Sequence, residues 1–165
     1  MAQCTFTPTI SPSSPMLCPN ETGTLSTQAY DSYQWYKGGS IITGATNQTL
    51  PIDQYNDAGY NFTVSATLDG CTEMSASVLV DGYMFLFPYV INGGDDPIST
   101  GPSGEPIFCQ GDTFSLTLGT GYDQNIVWTN NGVPIPNETS PTLIITTTGS
   151  YSVSAAPTEC PNYIQ

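Results

Sequence analysis

The sequence predicts an all-β protein made of two tandem β-sandwich domains, and three observations lead to this prediction. The 165-residue chain contains 14 Pro and 16 Gly, which punctuate short segments rich in Ser, Thr and aromatic residues; such segments are typical of strands. A pattern of about ninety residues occurs twice. Within each copy, apolar and polar residues alternate as they do in strands that bury one face.

The repeat is defined by landmarks that follow one another in the same order and at similar spacing. They are Cys18 with Cys109, Leu25 with Leu116, Trp35 with Trp128, TLPID (49–53) with TLIIT (142–146), NFTVSA (61–66) with SYSVSA (150–155), and Cys71 with Cys160. Internal similarity of this kind indicates one structural unit used twice.

The stretch YQWYKGG (33–39) raises the question of whether its aromatic residues bind a ligand or form a core. Alternation places Tyr33 and Trp35 on one strand face and Tyr36 on the other. Trp128 occupies the same position in the second copy. A Trp on the third strand commonly fills the centre of an immunoglobulin-like (Ig-like) sandwich. We therefore expect Trp35 and Trp128 to be the core pins of two Ig-like domains, with Tyr36 as the better candidate for an exposed aromatic.

The predicted boundaries are 1–82 for the first Ig-like domain, 83–97 for an apolar interdomain segment and turn, and 98–165 for the second domain. Strand A of the second domain is expected within residues 98–108. After Cys160 the sequence reads PNYIQ (161–165), which is too short for a last strand like SASVLV (75–80). We expect the second sandwich to lack most of that strand, either through truncation or because another chain or segment supplies it.

Composition argues against several classes of function. One Lys, no Arg, no His and 14 acidic residues give a formal net charge of −13, which disfavours nucleic acids and anionic membrane surfaces as partners. Without His, nucleophilic triads and His metal ligands are excluded. Carboxylate-only catalysis stays formally open, but we expect no enzyme activity and no cofactor. No segment reaches the length of a membrane helix.

Several motifs resemble the Ig-like repeats of very large cell-surface adhesins from gliding and other type IX-secreting Gram-negative bacteria. In the second copy these motifs are IFCQGDTFSL (107–116), the VW pair and TLIITTTGSYSVS (142–154); in the first they are CPNETGTL, YQWYKGG, GATNQTL and DGC. The resemblance implies export to the cell surface and a structural or adhesive role. It lends no catalytic residue.

Five cysteines in an exported chain favour disulfides over a metal site. The repeat favours one pair in each copy, Cys18–Cys71 and Cys109–Cys160, which leaves Cys4 unpaired. Geometry raises a competitor, Cys4–Cys71, because strand B starts and strand F ends at opposite ends of a sandwich, whereas Cys4 would lie at the same end as Cys71. The within-copy pairing remains our prediction. A third arrangement joins Cys18 to a cysteine of the neighbouring copy.

The run YMFLFPYVI (83–91) is the most apolar segment, and NGGDDP (92–97) after it resembles a turn. One interpretation is an interdomain wedge, in which the aromatic residues fill the junction between the two domains and stiffen it. The other is an exposed interaction patch formed by Tyr83, Phe85, Phe87 and Tyr89. Asp95 and Asp96 carry oxygen ligands that could bind Ca²⁺ at this junction.

These features lead to three functional hypotheses. The first is a non-enzymatic structural or adhesive module of an extracellular surface protein, whose partners are neighbouring domains. The second is a filament subunit that joins like subunits by strand donation. The third is a carbohydrate-binding module that presents Tyr36 and Tyr55 to glycans.

Overall fold

Short hairpins divide the chain into strands, and their turns contain residues that tolerate a positive φ. Asp69-Gly70 (φ 51° and 76°), Asn131-Gly132 (50° and 77°) and Gly38-Gly39 (56° and 81°) each join two adjacent strands. Two consecutive positive φ values define the tight hairpin turn that matches the natural twist of antiparallel strands. The sequence pairs Asp-Gly and Asn-Gly are therefore the local cause of these reversals.

The computed structural model describes residues 4–165, which form two compact units. Unit 1 extends to Phe85, and unit 2 comprises Leu86–Gln165. Unit 1 contains β1 (Met16–Leu17), β2 (Thr22–Ser26), β3 (Ser32–Lys37), β4 (Ser40–Ile41), β5 (Thr49–Asp53), α1 (Gln54–Asp57), β6 (Tyr60–Leu68), β7 (Cys71–Met74) and β8 (Val78–Gly82). Unit 2 contains β9 (Val90–Gly94), β10 (Ser99–Thr100), β11 (Pro106–Ile107), β12 (Phe114–Leu118), β13 (Gln124–Asn130), β14 (Val133–Pro134), β15 (Thr142–Ile145) and β16 (Tyr151–Ala156).

Unit 1 is a sandwich of two sheets. One sheet pairs β2 with β5, and an isolated bridge from Ser11 to Ser26 adds the preceding segment to it. The other sheet has the order β1-β8-β6-β3-β4, with β7 also pairing with β6. Strand β1 runs parallel to β8, whereas the remaining pairs are antiparallel. The N-terminal segment thus contacts first one sheet and then the other.

Alternate residues of both sheets fill the core of unit 1. The cluster of buried side chains consists of Ile10, Leu17, Leu25, Trp35, Leu50, Ile52, Phe62, Val64, Val78 and Val80. Each of the longer strands contributes every second residue, as predicted for strands with one buried face. This burial is the main source of stability for the unit.

Unit 2 is also a sandwich of two sheets, but different strands lie at the edges of those sheets. One sheet has the order β15-β12-β9 and the other β14-β13-β16, while β10 and β11 form a separate two-stranded sheet. The fold-class prediction is confirmed: the chain is all-β, with two tandem Ig-like sandwiches and most of the last strand of the second one absent. That strand is represented only by Gln165, whose backbone exchanges hydrogen bonds with Ala155 at 2.9 and 3.0 Å.

Two expectations for the start of unit 2 are wrong. The strand that pairs with β12 is β9 at residues 90–94, so part of the predicted turn at 92–97 is extended. Residues 98–108, expected to contain strand A, instead form the β10–β11 pair. The apolar residues Val90 and Ile91 begin β9, and the two Gly residues that end it, which resemble a turn in the sequence, are extended instead. Gly94 is required here, because a Cβ would lie 2.1 Å from the Thr113 carbonyl oxygen.

Trp35 and Trp128 are fully buried in their respective units. The Trp35 Nε1–H donates to the Asn47 carbonyl at 2.8 Å, and the Trp128 Nε1–H donates to the Ser140 carbonyl at 2.8 Å. Each indole therefore has its polar atom satisfied by the loop that precedes the next long strand. Within YQWYKGG, Trp35 is therefore a core residue, as the alternation predicted.

The cystine of unit 1 joins Cys4 to Cys71, with Cα atoms 5.8 Å apart. The predicted Cys18–Cys71 pair is wrong. Cys18 precedes β2, whose first residue lies opposite Asp53 near the start of β6, whereas Cys71 follows the far end of β6. A nine-residue strand spans roughly 30 Å, far more than a disulfide can bridge. The competing Cys4–Cys71 pair was the geometrically consistent one.

The predicted Cys109–Cys160 pair is also wrong, because Cys109 is a free, exposed thiol. Its backbone N–H donates to the Asp112 carboxylate at 2.7 Å, just as the Cys18 N–H donates to Glu21 at 2.6 Å. The two cysteines are thus equivalent in their local turn. The arrangement that joins Cys18 to a cysteine of the other repeat stays a prediction.

Candidate functional site

The segment after β8 is the most exposed apolar part of the chain. Residues 83–89 connect the last strand of unit 1 to the first strand of unit 2 without forming a strand themselves. Met84, Leu86 and Phe87 are 91, 83 and 84 % exposed. We call these three residues the apolar segment. Three large side chains with so little cover within four residues are unusual for a surface that binds nothing.

The four residues predicted to form the interaction patch differ in their surroundings. The rings of Tyr83 and Phe85 stack on each other with centroids 5.7 Å apart, and both side chains are half-buried. The Tyr89 ring lies against the backbone of Gly119, whose N–H donates to the Tyr89 carbonyl. Phe87 is 84 % exposed and Tyr89 50 % exposed.

Sequence reasoning missed Met84 and Leu86. It assumed that the aromatic residues at alternate positions would form the exposed face. Met84 and Leu86 share one face of an extended segment, but Phe87 on the opposite face is exposed as well, so alternation alone does not identify the exposed side chains. The wedge interpretation of this segment stays a prediction.

A network around the single lysine fixes the turn between β5 and β6. The Lys37 ammonium donates to the Asp57 carboxylate and to the Asn56 carbonyl, at 2.8 and 2.7 Å. It also lies 4.3 Å from the centroid of the Tyr60 ring. Asp53 caps α1, since its carboxylate accepts the Asn56 backbone N–H at 2.8 Å. The only basic side chain of the chain thus serves local structure.

Hydrogen bonds to this cap hold the pKa of Asp53 below its ordinary value of 3.8, with the Asn56 side-chain amide as the largest cause and its backbone N–H as the second. Because the pKa is lower in the folded state, the cap stabilises unit 1 above pH 3.8, and this contribution disappears as the pH falls through the lowered pKa. We expect Asn56→Ala to raise the pKa of Asp53 towards 3.8, measured by NMR titration of the carboxyl carbon. Asn92→Ala, in unit 2, is the matched control and should leave it unchanged. An identical Asp53 titration in the Asn56→Ala protein would contradict this assignment.

Other acidic residues also accept hydrogen bonds from backbone N–H groups at turns. The Asp31 carboxylate accepts from Asp69, and Asp95 accepts from Thr113 at 2.6 Å. Glu105 accepts from Ser103. These contacts are structural uses of carboxylates, of the kind that stabilises tight turns.

The predicted calcium ligands Asp95 and Asp96 lie at the end of β9, both exposed. The bond from Thr113 occupies one oxygen of Asp95. Within residues 4–165, no three His, Cys, Asp or Glu side chains are grouped to hold a metal ion. Calcium binding at this junction stays a prediction.

The two aromatic residues predicted to bind glycans differ in their exposure to solvent. Tyr55 projects from α1 and is 90 % exposed, whereas Tyr36 is half-buried on β3. Among the described residues, neither ring takes part in an aromatic pair. Glycan recognition through Tyr36 and Tyr55 stays a prediction.

Sequence reasoning did not predict an open groove of about 430 Å³ in unit 2, lined among others by Asn130, Ile135, Thr147 and Tyr151. The Tyr151 hydroxyl donates to the Thr147 carbonyl at 2.7 Å and accepts from the Asn130 amide at 3.2 Å. Asn130 Oδ1 is buried against Gly149, where a Cβ would lie 1.8 Å away. Most polar groups here bond to each other, which fixes the turn before β16.

Burial raises the pKa of Tyr122 above 10.0, and the neighbouring Tyr163 hydroxyl adds to this effect. The Tyr122 hydroxyl donates to the Leu86 carbonyl at 2.7 Å. This bond fastens one end of the apolar segment to unit 2, so the exposed Leu86 and Phe87 side chains extend from a fixed backbone.

No protein-family model matches the chain, and neither does any curated protein. Among solved structures, the N-terminal eight Ig domains of Down Syndrome Cell Adhesion Molecule, isoform 1.30.30, are similar to it with a TM-score of 0.40 and 16 % sequence identity. The alignment covers 80 % of this chain and 19 % of that one. In residues 4–165, no helix combines the length and hydrophobicity needed to cross a membrane.

Proposed function

We propose that the chain is a non-enzymatic structural and adhesive module of an extracellular bacterial surface protein. The observation that carries this proposal is the tandem use of one Ig-like unit, in which Trp35 and Trp128 are buried and bonded in the same way. Repeated units of this kind suit a stalk that spaces or presents a binding surface. The resemblance to type IX-secreted adhesins supports the bacterial cell surface as its location.

The chemistry of the chain supports an extracellular setting. The chain contains the Cys4–Cys71 cystine. Disulfides persist in oxidising compartments and are rare in the cytosol. The net charge of −13 favours solubility and weakens association with anionic surfaces. Labelling intact producing cells with an antibody against the chain tests this setting. Signal only after permeabilisation would contradict it.

The apolar segment is the surface best suited to adhesion. Its three side chains are exposed, and the Tyr122 hydroxyl bonds to the backbone of one of them, Leu86. Each large apolar side chain that becomes buried against a partner contributes about 1.5–3 kcal/mol. The proposed partners are a neighbouring domain of the parent protein or an apolar surface.

We expect beads coated with the chain to remain on an apolar surface under flow. The triple variant Met84→Ser/Leu86→Ser/Phe87→Ser should reduce retention by about tenfold or more, because it removes the exposed apolar groups. The control is Ile98→Ser/Val133→Ser, which removes two exposed apolar side chains elsewhere. Equal retention of both variants would remove the apolar segment as the adhesive surface.

A second candidate function is that of a filament subunit joined by strand donation. The observation that favours it is the incomplete edge of β16 in unit 2, where only Gln165 pairs with Ala155. Size-exclusion chromatography and electron microscopy at high protein concentration test it. A monodisperse monomer would count against the filament and leave the adhesive module unaffected.

A further inference from the structure

The three methionines that the structure describes differ widely in their exposure to solvent. Met84 is 91 % exposed, whereas Met74 is 51 % and Met16 46 % exposed. Met16 and Met74 belong to β1 and β7, and each of these strands pairs with a neighbour that limits access to its side chains. Met84 lies in the apolar segment, outside any strand. Its side chain is therefore the most accessible methionine within residues 4–165.

The aromatic residues on either side of Met84 leave its side chain uncovered. The rings of Tyr83 and Phe85 stack on each other with centroids 5.7 Å apart, and both side chains are half-buried. Contact with an aromatic ring is a common way in which a protein packs a methionine sulfur. At 91 % exposure the Met84 side chain has no such cover. A small solute can thus reach its thioether directly.

Peroxides oxidise an exposed thioether by transferring one oxygen atom and two electrons. The sulfur lone pair attacks one oxygen of hydrogen peroxide, the O–O bond breaks, and the new S–OH group loses its proton to the departing hydroxide. The peroxide is reduced to water and the methionine is oxidised to methionine sulfoxide. Because hydrogen peroxide is uncharged, the net charge of −13 does not repel it.

Oxidation would change what the apolar segment can bind. The sulfoxide is polar, whereas the thioether it replaces is apolar. An apolar partner surface offers its oxygen no hydrogen-bond donor, and burying an unpaired polar group is unfavourable. Oxidation therefore does more than remove one of three apolar contacts, because it adds a penalty to the contacts that Leu86 and Phe87 still make.

The two sandwiches should tolerate the same treatment. Among residues 4–165 no methionine is buried in a core. Oxidation of an exposed methionine removes no core packing, so the native fold should persist. The effect of a peroxide on the described methionines is thus concentrated at the surface, and most of all at Met84.

We propose that Met84 is an oxidation site through which extracellular peroxides weaken adhesion by the apolar segment. This inference rests on the adhesive role proposed for that segment. It adds a chemical control to it, since one oxygen atom on one side chain converts an apolar contact into a polar one.

The chemistry is tested on the full 165-residue chain with limiting hydrogen peroxide. Peptide mapping by mass spectrometry at successive times gives the rate at which each methionine gains one oxygen. We expect Met84 to be converted at least about twofold faster than Met16 or Met74, in line with its exposure. Equal rates at the three positions, or slower conversion of Met84, would overturn the proposal.

The effect on adhesion is tested by retention of coated beads on an apolar surface under flow, before and after peroxide treatment. Retention of the natural chain should fall by about tenfold. Met84→Leu cannot form the sulfoxide, so treatment should leave its own starting retention unchanged although Met16, Met74 and Cys109 still react. The matched control Met16→Leu/Met74→Leu should lose retention as the natural chain does. Trp fluorescence checks that every treated sample stays folded.

The outcomes separate this inference from the adhesive role on which it rests. If untreated beads are not retained, or are retained equally with the triple serine variant, the adhesive role fails and the inference falls with it. If that role holds but full conversion of Met84 leaves retention unchanged, only the oxidation site is overturned. An equal loss in treated Met84→Leu would also overturn it, because another position would then be responsible.

Discussion

Replacing Trp35 with alanine is expected to unfold unit 1 under conditions in which the natural chain is folded. The indole is fully buried and its Nε1–H bonds to the Asn47 carbonyl. Truncating a buried Trp to Ala costs about 3–5 kcal/mol, and the carbonyl left without a partner adds to this cost. Small domains have total stabilities of about 5–15 kcal/mol, so the loss is a large part of the whole.

The chain offers an internal reporter for this experiment, because each unit contains one Trp. In the Trp35→Ala variant, the fluorescence of Trp128 reports on unit 2 alone and should stay native. Urea unfolding followed by amide NMR should show a lower midpoint for unit 1. Trp128→Ala should reverse the pattern between the units.

Tyr36→Ala is the matched control for Trp35→Ala. Tyr36 is the next residue of β3 but lies on the opposite face and is half-buried. Its truncation should cost about 1 kcal/mol. An unfolding midpoint for Trp35→Ala equal to that of Tyr36→Ala would show that the indole is not the centre of the core.

Removing the Cys4–Cys71 cystine is expected to have the second largest effect. The bond joins residues separated by 67 positions. In the chain-entropy account, a crosslink that closes a loop of this length stabilises the fold by about 4 kcal/mol. The double variant Cys4→Ser/Cys71→Ser should lower the urea midpoint of unit 1 accordingly.

Cys109→Ser is the control for the cystine. Cys109 is a free, exposed thiol, so its replacement should leave the stability of both units within about 0.5 kcal/mol of the natural chain. Peptide mapping without reduction should recover a Cys4–Cys71 crosslink. Recovery of a Cys18–Cys71 crosslink instead would contradict the structure.

Local periodicity and the internal repeat were sufficient to predict the fold. Alternation identified the buried faces of the long strands, because burial on one side imposes a period of two. The repeat then aligned Trp35 with Trp128 and supplied the second sandwich. Hairpin turns were visible as Asp-Gly and Asn-Gly pairs.

The same repeat misled the disulfide prediction. It implied that equivalent cysteines have equivalent partners, but Cys71 pairs with Cys4, which has no counterpart in the second copy. Disulfide pairing depends on which strand ends meet in space, a long-range property that spacing along the chain does not encode.

The start of unit 2 and the exposed side chains were harder to predict for a different reason. Strand β9 contains Asn92, Gly93 and Gly94, residues that favour turns in isolation, and it is extended because β12 supplies its hydrogen bonds. Exposure of Met84 and Leu86 likewise depends on which neighbours cover the segment. Tertiary context decided both outcomes over local preference.

The Cys4–Cys71 bond also limits how far unit 1 can be stretched. A pulling force applied at the chain ends cannot extend the 67-position loop that the cystine closes. At roughly 3.4 Å per residue, the closed loop prevents about 230 Å of chain extension. A surface stalk built from such units would remain short under shear while oxidised, and would lengthen abruptly once a reductant opened the crosslink.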